Sequence, residues 1–145
     1  MEDQIVQEIR LKKQSLKRYR NTLSCIDRLG EKLILLEERI KTVRSPNYSG
    51  MPRGGTPVTI EDLLSDKEDL IKRIRRMNDK ARRLKNQIVE EIDLLEDPRH
   101  CEILEAYFID RKSIAEISED MGYTERHVYD LYRSAIYELT FNETT

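Results

Sequence analysis

The chain has 145 residues, of which 37% are charged and 38% hydrophobic, with a formal net charge of −2. The charged share is well above the usual quarter of a globular chain, and Gly and Pro are scarce, which points to long helices and away from a sheet protein. No apolar run approaches the ~18 residues of a membrane-spanning helix, so no membrane partner is expected.

Met1-Glu2-Asp3-Gln4 has neither the basic start nor the apolar block of a secretory signal. Two cysteines, Cys25 and Cys101, make no disulfide framework and no Cys-x-x-Cys pair for zinc. A reducing cytoplasm is the expected setting, and no metal or cofactor is expected.

The first segment, 3–43, is apolar at Ile9, Leu16 and Leu23 and again at Tyr19, Ile26, Leu33 and Ile40, each set recurring every seven residues. Such a stripe predicts a helix with coiled-coil character. Gly30 interrupts it, at about 1 kcal/mol relative to Ala, and Lys12 and Glu37 also fall on the seam. Residues 45–58 hold three prolines and three glycines and read as a loop. Arg53-Gly54-Gly55-Thr56 is no phosphate cradle, because no strand precedes it and no Gly-Lys-Ser/Thr ending follows.

Thr59 reads as an N-cap with Glu61 and Asp62 in the first turn. The stripe Leu63, Leu70, Met77, Leu84, with Ile60, Ile74, Ala81, Ile88 and Leu95 beside it, predicts a second helix to about Glu96. Two long helices joined by one loop predict an antiparallel hairpin over 1–97. Leu29, Leu36, Ile71 and Ile92 are left over, and suggest contact with the remainder of the chain or with a second subunit, so a homodimer is one expected partner.

Asp97-Pro98 marks a break and a helix restart. A third helix over 98–109 would bury Ile103, Leu104, Tyr107 and Phe108. Ser113-Ile114-Ala115-Glu116 is a capping box opening a fourth helix that packs through Ile114, Ala115 and Ile117. Gly122 supplies a turn that needs a positive backbone angle. Thr124 caps a fifth helix, over 125–140, with inner face Val128, Leu131, Ala135, Ile136 and Leu139. Tyr107 and Tyr123 suit the core, Tyr129 and Tyr137 the outside. Cys101 reads as a small buried hydrophobe, and His100 beside it as incidental. A short helix, a Gly turn and a longer helix form a helix-turn-helix layout, which places its second helix in a DNA major groove.

Charge is unevenly spread. Residues 1–44 carry 11 Lys/Arg against 7 Asp/Glu, whereas residues 98–145 carry 5 against 10. Phosphate neutralisation dominates affinity for nucleic acid, so the acidic end needs cations from elsewhere. Two clusters offer them: Arg10, Lys12, Lys13, Lys17, Arg18 and Arg20 on the first helix, and a run on the second from which Arg75, Arg76, Arg82 and Arg83 are the expected phosphate contacts.

From Pro98 to Leu139 the pattern resembles region 4 of sigma-70-type factors, carried by Tyr107-Phe108 and by Ser113-Ile-Ala-Glu-Ile-Ser-Glu-Asp-Met-Gly-Tyr-Thr-Glu-Arg-His-Val-Tyr. The whole layout is similar to short bacteriophage proteins of the ArpU/RinA type of late-gene regulators. The resemblance implies an all-α protein with a trihelical head over 98–145, a phage or prophage origin, a bacterial host cytoplasm and a role in transcription. By position it implies that Glu125, Arg126, His127, Tyr129 and Asp130 face double-stranded DNA, with Arg133 one turn on and Thr124 at phosphate. Where such factors carry mostly basic and amide groups, this chain has Glu125, Tyr129 and Asp130. Carboxylates accept from cytosine N4 and Arg pairs bidentately with guanine.

Two other readings compete with DNA reading: an adaptor binding RNA polymerase or another protein through its acidic face, and a small terminase-like DNA-packaging subunit. No nucleophile–base pair, metal set or phosphate loop suggests an enzyme. Carboxylate pairs such as Glu90-Glu91 and Glu119-Asp120 lack the apolar pocket that acid–base work needs.

Overall fold

A computed structural model of the chain describes residues 2–45 and 59–141. It is all-helical, with no strand among the described residues: α1 is Glu2–Arg44, α2 Ile60–Asp93, α3 Pro98–Leu104, α4 Ile114–Met121 and α5 Glu125–Phe141. A π-helical turn, Glu105–Ile109, continues α3. The loop expected over 45–58 lies outside the described residues apart from Ser45, and with it the Arg53–Thr56 stretch. None of the described helices is long and apolar enough to cross a membrane.

The helix starts follow the local chemistry. Thr59 Oγ1 accepts from the Asp62 amide at 3.2 Å, and the Asp62 carboxylate accepts from the Thr59 amide at 3.4 Å. This reciprocal cap satisfies donors that the first turn of α2 leaves open. Asp97 Oδ1 accepts from the Arg99 amide at 2.9 Å to start α3. The Arg99 guanidinium adds hydrogen bonds to the same carboxylate, and chiefly for that reason Asp97 titrates below its ordinary range.

One expected boundary moves. α2 ends at Asp93 rather than near Glu96, because Pro98 disfavours helical backbone at the preceding residue and Asp97 is extended, at φ −83° and ψ 115°. The chain unwinds through two tight turns, Leu94 N–H to Glu91 O and Leu95 N–H to Ile92 O. Leu94 is left exposed and Leu95 is buried.

Contacts divide the chain into two compact units, one of Met1–Thr22 with Ala81–Thr145, the other of Leu23–Lys80. The division does not fall at residue 97, where the hairpin was expected to end: the start of α1 and the end of α2 go with α3–α5. In the first unit Lys12 pairs with Glu91 at 2.9 Å, which accounts for a lysine on the apolar seam. Arg20 lies over the Tyr107 ring at 4.6 Å and Lys13 over Tyr132 at 5.7 Å. The Cys101 thiol donates to Ile92 O at 3.4 Å and lies 3.7 Å from Leu95 O, and burial pushes its pKa up. It is half-buried rather than fully enclosed.

The trihelical part of this unit is its densest core. Ile103, Leu104, Phe108, Ile117, Val128, Ala135 and Ile136 are all but fully buried, each large member contributing roughly 1.5–3 kcal/mol. Two expectations are corrected here. Ala115 is exposed; α4 packs through Ile114, Ile117, Ser118 and Met121, which share one helical face. Tyr132, absent from the expected inner face, is buried beside Tyr107 at 5.1 Å and Phe108 at 6.0 Å. Burial, its largest cause, pushes the Tyr132 pKa up to about 12.

His100 is not incidental. Its Nδ1 lies 2.6 Å from Glu138 Oε2 and its Nε2 3.7 Å from Asp97, while the other Glu138 oxygen accepts from the Glu96 amide at 3.1 Å. Glu138 of α5 thus ties the 94–97 linker and α3 to the end of α5.

In the second unit, Leu29, Ile40 and Leu63 are buried, and Lys67 lies 3.6 Å from Glu37. Gly30 sits inside α1 with nothing within 4 Å of where a Cβ would stand.

Candidate nucleic-acid interface

The α4–α5 pair is positioned by its caps. Ser113, extended at φ −77° and ψ 162°, accepts from the Glu116 amide at 3.1 Å, and its hydroxyl donates to the Glu116 carboxylate at 3.2 Å. Before it, Arg111 takes a positive φ of 58°, reversing the chain after the π-helical turn while the Lys112 amide donates to Ala106 O at 2.9 Å. Lys112 reaches Asp120 at 2.8 Å, a hydrogen bond that raises the pKa of the ammonium and joins the two ends of α4.

Gly122 ends α4 in the left-handed region, at φ 71°, where a side chain would be strained. The turn is locked by Ser118. Its carbonyl accepts from the Gly122 and Tyr123 amides at 3.0 and 3.1 Å, and its hydroxyl donates to Tyr123 O. Thr124 then caps α5, its hydroxyl accepting from the His127 amide at 3.1 Å. Ser118 escaped the sequence reading; a small hydroxyl four residues before a C-cap glycine was the available signal.

α5 has two unlike faces. Val128, Leu131, Tyr132, Ala135, Ile136 and Leu139 are buried. Thr124, Glu125, Arg126, His127, Tyr129, Asp130 and Arg133 are all exposed. Two of the ring systems are held from the side: His127 meets Tyr123 edge-on at 4.8 Å, and the Arg133 guanidinium lies 6.0 Å from the Tyr129 ring centre.

The exposed residues are not equivalent. Asp130 and Arg133, with Ser134 and Tyr137, form one wall of a groove of about 730 Å³ whose other wall is the start of α1, Val6, Ile9, Arg10 and Lys13. Glu125, Arg126, His127 and Tyr129 line no part of it. Of the cations on α1, Arg10 and Lys13 therefore stand beside α5, whereas Lys12 and Arg20 are engaged inside the unit.

Arg75, Arg76, Arg82 and Arg83 are exposed. They do not share one unit: Arg82 and Arg83 belong with α5, while Arg75 and Arg76 belong to the other. Among the described residues no group of His, Cys, Asp or Glu is arranged to hold a metal ion. Comparison with known protein families, curated proteins and solved structures returns no match, so the chemistry of these side chains carries the functional reading.

Proposed function

We propose that this protein is a sequence-specific DNA-binding regulator that reads the major groove with the first turns of α5. In this reading α1 and α2 form a helical hairpin, and α3–α5 form a helix-turn-helix head carried on it. The observation that carries the reading is the division of α5: a fully packed inner face fixes the helix, and Glu125, Arg126, His127 and Tyr129 stand open at its N-terminal end, where a recognition helix meets base edges.

Arg126 is the strongest direct contact, through guanine O6 and N7; Glu125 accepts from cytosine N4. Thr124 and the open amides of the first turn meet phosphate. The acidic head obtains cationic help from Arg10 and Lys13 beside Arg133, and from Arg82 and Arg83, so that α5 enters the groove while the start of α1 follows the backbone. A role in phage or prophage transcription rests on the sequence resemblance and extends this reading. Function by binding, without catalysis, belongs to the same proposal.

The test is selection from random duplexes by the full chain at physiological salt, followed by Arg126→Ala on the enriched site. The expected loss is about 1–3 kcal/mol with relaxed preference at one base pair. Failure to enrich any sequence ends the reading.

One observation favours a protein-binding adaptor as a second reading. The groove beside α5 has Val6, Ile9 and Tyr137 in its lining, and an apolar floor is of more use to a polypeptide such as a segment of RNA polymerase than to a phosphate backbone. Polymerase binding that survives Arg126→Ala but not Val6→Asp would favour it. A small terminase-like subunit requires a ring-sized assembly, which light scattering would reveal.

A further inference from the structure

We propose that the outer face of the Leu23–Lys80 unit is the contact for a second copy of this chain. A groove of about 400 Å³ crosses that unit, with Lys32, Leu35, Leu36 and Arg39 of α1 on one wall and Asp66, Asp69, Leu70 and Arg73 of α2 on the other. Leu35 is 65% exposed and its neighbour Ile34 58%. Two large aliphatic side chains in water on one stretch of helix are costly unless something covers them.

The charges select the occupant. Lys32, Arg39 and Arg73 are cationic and Asp66 and Asp69 anionic, and none of the five makes an ion pair among the described residues. Nucleic acid would be repelled by the two aspartates, and a uniformly acidic partner likewise. A surface with both signs around an apolar strip is complementary to itself after a two-fold rotation, which is what an isologous interface requires. The spacing helps: Lys32 and Arg39 are two turns apart on one helix, Asp66 and Arg73 two turns apart on the other, so each copy offers a row that its partner's row can meet.

The burial pattern agrees. Within residues 23–80 the buried apolar side chains are Leu29, Ile40 and Leu63, a thin core that a second copy would extend. The proposal stands apart from DNA reading: α5 lies in the other unit.

Sedimentation equilibrium of the full chain across the micromolar range tests it. The expected mass rises from 17.3 kDa towards twice that value with increasing concentration, and Leu35→Glu weakens the association by about tenfold or more. A pair of charge variants gives the sharper result. Asp66→Lys/Asp69→Lys makes the groove all cationic and Arg39→Glu/Arg73→Glu makes it more acidic. Each alone should stay monomeric, and an equimolar mixture should recover the dimer. All these positions except the groove floor are exposed, and far-ultraviolet circular dichroism checks that each variant keeps its helicity. A wild-type chain that stays monomeric, a dimer indifferent to Leu35→Glu, or a mixture that stays monomeric would overturn the proposal.

Discussion

The two compact units are built from the same pair of long helices and yet differ in kind. The unit containing α3–α5 buries aliphatic and aromatic side chains from five helices, with Phe108 and Tyr132 at its centre. The unit of residues 23–80 has only two helical segments to pack, and its buried apolar side chains are Leu29, Ile40 and Leu63. Two helices can cover one stripe each and no more. Similar heptad patterns therefore yield a rigid platform where further helices close over the stripe, and a lightly packed extension with exposed Ile34 and Leu35 where they do not. A rigid platform suits a reading head, whose side chains must be held in register; an extension with open apolar surface suits self-association.

Phe108→Ala should expose this contrast most strongly. Phe108 is fully buried, so the loss should be about 3–5 kcal/mol in the unit that contains it. Amide exchange by mass spectrometry should rise throughout 98–141 and much less in 23–44. Equal rises in both would mean that the units unfold as one body and would remove the comparison.

Tyr132 gives a pH test of the same core. Its pKa is raised from 10.0 to about 12 by burial. A group whose pKa is raised in the folded state contributes stability that is complete below its unfolded pKa and is lost as pH climbs through the folded one. The loss should run between pH 10 and about 12 and amount to roughly 2–3 kcal/mol. Tyr132→Phe should remove this step from a denaturant series while other alkaline losses persist; an unchanged profile would place Tyr132 outside the core's energetics.

Thr124→Ala should cost about 1 kcal/mol through loss of the α5 cap, read from the denaturation midpoint, and should also weaken DNA binding if α5 reads DNA. A smaller gain is expected in the other unit. Gly30 has open space where a Cβ would go, so Gly30→Ala should stabilise α1 by just under 1 kcal/mol, seen as slower amide exchange near residue 30. Destabilisation would show that the site needs glycine for a contact with something else.

Most of the local architecture was legible in the residues themselves. The caps at Thr59, Asp97, Ser113 and Thr124 and the glycine at 122 are short-range devices, each complete within four or five residues, and a sequence carries such information whole. What escaped reading depends on partners far along the chain. Tyr132 is drawn inward because Tyr107, Phe108 and Lys13 surround it. His100 is positioned by Glu138, 38 residues away. The π-helical turn at 105–109 and the early end of α2 arise where helical periodicity yields to packing and to the proline at 98. The candidate site divides in the same way. That Arg126 and His127 stand outward on α5 follows from a helix period, but that Arg10 and Lys13 stand beside Arg133 is a tertiary fact that no spacing announces.

The central claim is that the open end of α5 reads base pairs. Its most direct test is the footprint of the full chain on its selected duplex, compared between wild type and Arg126→Ala at matched salt. The account predicts a protected site whose affinity falls by about 1–3 kcal/mol and whose preference at a single guanine is lost. A footprint with the same strength and the same base preference after the substitution would contradict it.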